Sequence, residues 1–207
     1  MKNNLKQLNN MKRISYIILI ALFSFTASAQ SKTKPVSDSA QIRSVVMNFY
    51  NWYNSNWGKI NAFKLYKGKK TSDGFLPPYK IDWKEVDRYF AYLRKNVPYV
   101  GEAFIVQERK HFRWADSMFK KEPDGEIPAG FDYDRFTNSQ EEPEYLLKEL
   151  KNKKSKWTIK SKKNSATVVV QNFDAPSSEY LQLFCAEMIK EKGKWKISKP
   201  YCPDEFL

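Results

Sequence analysis

The apolar residues of this chain change their period once, and that change limits the folds open to it. Ile42, Val45, Val46, Phe49, Tyr50 and Tyr53 recur at i, i+3, i+4, i+7, i+8 and i+11, which puts them on one face of a helix with 3.6 residues per turn. In the last third the pattern becomes that of strands. Trp157-Thr158-Ile159, Ser165 to Phe173, Tyr180 to Ile189 and Trp195 to Ser198 are rich in β-branched and aromatic residues and are separated by Lys-, Asn-, Ser- and Gly-containing turns. Helices followed by a meander of strands predict an α+β domain, with the N-terminal helices packed on one face of a curved antiparallel sheet.

The N-terminus predicts export. Lys12 and Arg13 precede an apolar run from Ile14 to Phe25, and Ala27-Ser28-Ala29 places small residues where a signal peptidase reads. A membrane-spanning helix needs about 20 apolar residues; this run has about 12. Residues 1–29 therefore read as a signal peptide cleaved between Ala29 and Gln30, 30–37 as a flexible lead-in, and 38–207 as a single domain. No cysteine stands near the cleavage point, so neither a lipid anchor nor a stable membrane anchor is expected. The product would be periplasmic or secreted.

The leader carries four cations (Lys2, Lys6, Lys12, Arg13) and no acid, so its removal lowers the net charge from +13 to +9. Outside the cytoplasm, a basic surface meets an envelope glycan, anionic lipid or protein partner rather than nucleic acid. Lys148, Lys151, Lys153, Lys154, Lys156, Lys160, Lys162 and Lys163 crowd one short stretch. Lysines there either block edge-to-edge strand pairing or form a binding patch, for which Lys151, Lys153, Lys154 and Lys156 are the candidates.

Between the two periods, Asp38 with Gln41 resembles a helix cap, and the first helix is expected to stop near Asn54-Ser55-Asn56. Gly68, Asp73-Gly74 and Pro77-Pro78 leave at most short strands before Ile81. A second helix opens at Asp82, capped with Glu85, turns Trp83, Val86, Phe90 and Leu93 inward, and ends or kinks at Pro98. Tyr99 to Lys121 is again mostly helical, with Val100, Phe104, Phe112, Ala115 and Phe119 near one face. Glu122 to Pro143 reads as a long loop, a class that is usually functional or mobile, and Tyr145 to Leu150 as a short helix. In the closing hairpin Ile189 is set to face Lys196. Cys185 and Cys202 lie two positions off that register, so a diagonal offset or one bulge would join them in a structural disulfide; two free thiols are the alternative. Without a CxxC motif a redox role has no support.

Phe49-Tyr50-Asn51-Trp52-Tyr53, the Ile81-Asp82 helix start, Asp132-Tyr133-Asp134-Arg135-Phe136 with Gln140, and the Lys192-to-Ile197 hairpin together resemble a family of exported bacterial proteins of unknown function. That family is similar to nuclear transport factor 2, of cystatin-like fold, in which helices wrap against a strongly bent sheet. The resemblance implies a cone with a pocket between the first helix and the concave sheet, and a homodimer through the outer sheet face as one arrangement of the fold. It does not imply an activity.

Tyr50, Trp52, Tyr53 and Trp57 are the aromatic candidates for such a pocket, by stacking on a sugar or lipid ring; core packing accounts for them equally well. Asp132 and Asp134 either divide acid and base roles beside a dry cavity, or cap a turn or pair with Arg135. His111, the only histidine, reads as a surface or boundary residue. No cofactor or metal is expected, because no phosphate-cradling loop is present and a metal site could draw only on scattered acids. Two functional classes follow. One is a non-enzymatic binding module using the aromatic pocket or basic surface for an anionic or amphipathic small molecule, an envelope glycan or lipid, or a protein. The other is a small lyase, isomerase or hydrolase with Asp132 or Asp134 as general base.

Overall fold

The computed structural model describes residues 36–72, 74–174 and 179–201. The expected leader, its cleavage site at Ala29 and Gln30, and Cys202 lie outside them, and with Cys202 the expected disulfide. The described chain is α+β, with two antiparallel sheets.

Helix α1 spans Asp38–Asn61. Ile42, Val46, Phe49, Tyr50 and Tyr53 are at most 1% exposed, and each such side chain contributes roughly 1.5–3 kcal/mol on burial. The cap lies one residue before the expected one. Ser37 Oγ accepts from the Ala40 N–H at 3.3 Å, while Gln41 Nε2 donates to the Val36 carbonyl. Asp38 reaches across the fold instead, accepting from Lys190 Nζ and Trp195 Nε1, both at 2.9 Å. Nor does the helix stop at Asn54-Ser55-Asn56. Ser55 and Asn56 donate to the carbonyls one turn back, Asn51 and Trp52, which keeps these turn-forming residues inside the helix, and Ile60 at 7% exposure anchors the added turn.

Strands β1 (Tyr66–Lys70) and β2 (Phe75–Ile81) form a two-stranded hairpin. Pro77 and Pro78 are tolerated because β2 has only one neighbour. Helix α2 (Trp83–Asn96) buries Val86, Phe90 and Leu93 as expected, together with Tyr89; Trp83 is half-buried. Asp82 stands at its N-cap, but no side-chain capping bond closes, because the carboxylate pairs with Lys67 at 2.7 Å and Glu85 pairs with Arg88.

Helix α3 (Glu102–Lys121) starts against the last hairpin. Glu191 accepts from the first helical N–H groups, those of Glu102 and Ala103, at 3.3 Å each, where a carboxylate suits the helix dipole. Gly101 permits that approach, since a Cβ there would lie 2.2 Å from Glu191 Oε1. After a loop from 122 to 142, α4 (Pro143–Lys151) begins earlier than expected, with Pro143 in its first turn.

Strands β3 (Lys156–Ser161), β4 (Ser165–Asp174), β5 (Glu179–Glu191) and β6 (Lys194–Lys199) form the expected meander in the order β3-β4-β5-β6. Ile189 pairs with Lys196, and a bulge interrupts the ladder between Glu187 and Met188. The register aligns Val170 with Phe184, Val168 with Ala186 and Ala166 with Met188, all buried, and with Trp195 and Ile197 they form the core face. Between α1 and this sheet, where the resemblance implies a cavity, two buried aromatic rings are in contact. Tyr50 meets Phe184 edge to face at 5.3 Å there.

Candidate functional site

The last turns of α1 carry Tyr53 and Trp57 one turn apart, and the segment from Phe131 to Phe136 lies across them. Asp134 joins the two. Its Oδ1 accepts from the backbone N–H groups of Phe136 at 2.8 Å and Thr137 at 3.0 Å, an Asx turn. Its Oδ2 accepts from the Tyr53 hydroxyl and, at 3.3 Å, from Trp57 Nε1. Tyr50 adds a third tie by donating to the Phe136 carbonyl at 2.6 Å. Phe136 is clamped between Tyr53 at 4.7 Å and Phe104 at 5.6 Å, centroid to centroid.

This wall closes one side of an open cavity of about 690 Å³ whose other sides come from residues 60–65 before β1, the β1–β2 hairpin and residues 139–141. Tyr53, Trp57, Tyr66, Phe75 and Phe131 supply its aromatic lining, and Tyr66 and Phe131 meet at 4.8 Å. Exposed Lys64, Lys70 and Gln140 also line it. No residue of β3 to β6 lines it, so the pocket lies beside the helix end and not against the larger sheet. Burial, reinforced by the Asp134 carboxylate, pushes the Tyr53 phenol up, so it stays a hydrogen-bond donor at every physiological pH.

Of the residues singled out in the sequence, the structure brings Tyr53, Trp57, Asp132, Asp134 and Gln140 to this cavity. Tyr50 is fully buried in the core. Trp52 is half-buried, packs near Phe49 at 6.3 Å and does not line the cavity. Asp132 is exposed, and Gln140 Nε2 donates to its backbone carbonyl at 3.4 Å. Lys151, Lys153, Lys154 and Lys156 are exposed along the turn into β3, an edge strand.

Asp134 does not pair with Arg135, contrary to one sequence alternative. Arg135 turns the other way, to Glu108 Oε1 at 2.8 Å, where Glu108 is 0% exposed. Burial pushes the Glu108 carboxyl up against the opposing pull of Arg135. Glu108 carries a signal that sequence reasoning passed over: it stands at i+4 from Phe104 and i−4 from Phe112, on the apolar stripe of α3. His111 is a boundary residue, as expected, with Nε2 donating to the Gly130 carbonyl at 3.1 Å. Burial and then the Arg135 charge push its imidazole down to about 4.

No family model, no curated protein and no solved structure matches this chain. Among the described residues no cluster of three or more His, Cys, Asp or Glu side chains is placed to hold a metal, and no helix is long and apolar enough to cross a membrane.

Proposed function

We propose that this chain is an exported, non-enzymatic binding module whose aromatic cavity takes an amphipathic small molecule. The order of helices followed by a four-stranded meander supports reading the fold as the cone of nuclear transport factor 2, and the apolar run after Arg13 supports periplasmic or secreted placement. The observation that carries the binding reading is the state of Asp134. A general base must offer a lone pair to a substrate proton, yet both oxygens of Asp134 already accept two hydrogen bonds each from the protein. Asp132 lies exposed. The carboxylate-base alternative thus has less to stand on than a pocket in which Asp134 holds aromatic rings in place.

The cavity volume lies within the roughly 300–1,000 Å³ of small-molecule sites. Rings of Tyr66, Phe75 and Phe131 would cover a flat apolar body, and Lys64 and Lys70 at the mouth would take an anionic end. Isothermal titration of the chain with anilinonaphthalenesulfonate, an aromatic anion, tests this. One saturable site is expected, weakened about tenfold by Trp57→Ala and by Phe75→Ala. Binding that does not saturate, or that both variants leave unchanged, would remove the proposal.

A further inference from the structure

The segment from Asp132 to Arg135 has a second side. Beyond it lies a groove of about 1190 Å³ bounded by α3, the 127–138 loop and the end of β5. It exceeds the usual volume of a small-molecule pocket, which is about 1,000 Å³ at most. A bulge interrupts the β4–β5 ladder here: Val170 pairs with Phe184 and Gln171 with Gln182, so Leu183 is an extra residue, and it lines the groove.

Three large apolar side chains stand exposed along it, Trp114 at 48%, Tyr133 at 51% and Ile127 at 69%. Trp114 is held in place from behind. Its ring lies 5.4 Å from that of His111, which is fixed by its bond to the Gly130 carbonyl. Gly130, at φ +80°, fits beneath both, since a Cβ there would lie 2.8 Å from Trp114 Cζ3. Between the rings sit polar groups with unused capacity. The side chains of Asp132, Asn138 and Gln182 line the groove and make no hydrogen bond with other described residues. Thr137, 8% exposed and also in the lining, has a buried hydroxyl without a partner.

These features select among occupants. Although the chain is strongly basic, Arg135 is the only Lys or Arg among the described lining residues; it pairs with Glu108, and Asp132 and Asp134 accompany it. A polyanion therefore finds no counter-charge here. An acyl chain would bury the Asp132 carboxylate and the two amides without partners, at a cost per group that apolar contact does not offset. A chain of sugar rings meets both requirements: its C–H faces pack on indole and phenol faces, and its hydroxyls bond to carboxylate, amide and hydroxyl groups. We propose that this groove is a binding cleft for a neutral oligosaccharide. It is separate from the aromatic cavity and does not depend on that cavity being occupied.

Titration of the chain with chitohexaose, cellohexaose, maltohexaose and mannohexaose, followed by calorimetry and by the indole N–H resonances, tests the assignment. At least one sugar is expected to bind saturably and to shift the Trp114 indole signal. Trp114→Ala should weaken it about tenfold, and Gln182→Ala should weaken it measurably, a second variant that serves if the first misfolds. Phe75→Ala, on the far hairpin and outside the groove lining, should leave sugar binding unchanged. The inference is overturned if no hexasaccharide moves the Trp114 signal, if only the acidic polymer polygalacturonate does, or if Trp114→Ala and Gln182→Ala both bind as tightly as the parent. Dye binding without sugar binding would sink this cleft alone; sugar binding without dye binding would sink the aromatic pocket alone.

Discussion

Asp134 orders a loop and a helix end together, because one of its oxygens takes two donors from the loop and the other takes two from α1. Asp134→Ala would strand the Tyr53 hydroxyl, the Trp57 indole N–H and two backbone N–H groups at once. The expected loss is about 2–4 kcal/mol, because orphaned buried donors lose more than the net value of their bonds. Asp134→Asn keeps an acceptor for the backbone pair but turns a donor toward Trp57, so urea unfolding should place it between the parent and the alanine variant. His111 gives the pH dependence. Its folded pKa of about 4 lies below the unfolded value of 6.5, so the unfolded chain binds the extra proton between those values. Stability is therefore expected to be full above about pH 6.5 and to fall as the pH drops toward 4. After discounting for partial exposure, about 1–2 kcal/mol is at stake. Denaturation midpoints at pH 7 and pH 5 should differ less in His111→Gln than in the parent; an equal difference would assign the pH effect to other groups.

At the level of elements, the sequence was most legible where period and burial agree. The stripe of α1 and the four strands after Trp157 lie where spacing puts them, because each buries one face against the same core. Ends were less legible. Asp38, Asp82 and Glu85 all carry cap chemistry, yet Asp38 and Asp82 pair with Lys190 and Lys67, which only a folded chain brings near, and Glu85 pairs with Arg88 one turn along its own helix. The site was half legible for a related reason: Tyr53, Trp57 and Asp134 share a wall 77 residues or more apart in sequence, whereas Tyr66 and Phe75 come from a stretch that Gly and Pro made look irregular. Glu108 shows how α3 is fastened to the loop, and predicts its own variants. Glu108→Leu leaves the Arg135 charge half-buried and unpaired, an expected loss of about 3–5 kcal/mol, while Glu108→Leu with Arg135→Met should recover most of it. A double variant no more stable than Glu108→Leu would show that the pair itself, and not the orphaned cation, matters.

Across the whole molecule, the positive charge is unevenly placed, and its concentration on β3 bears on association. Among the described residues β3 pairs with β4 alone, so the outer edge of its later part, Thr158 to Ser161, offers a template for another strand. Lys156 and Lys160 lie on that strand, and Lys162 and Lys163 in the turn after it; all are exposed. Like charges along an edge raise the free energy of edge-to-edge pairing, and salt weakens that barrier because the Debye length falls from about 10 Å at 0.1 M to about 3 Å at 1 M. If blocking is what these lysines do, Lys160→Thr with Lys162→Thr and Lys163→Thr should associate at protein concentrations where the parent keeps a lower mass, and added salt should drive the parent toward the same behaviour. Light scattering across a concentration series reads both. A triple variant whose mass equals the parent's at every concentration, but which no longer binds vesicles containing phosphatidylglycerol that the parent binds, would instead establish the lysines as a contact surface for anionic lipid.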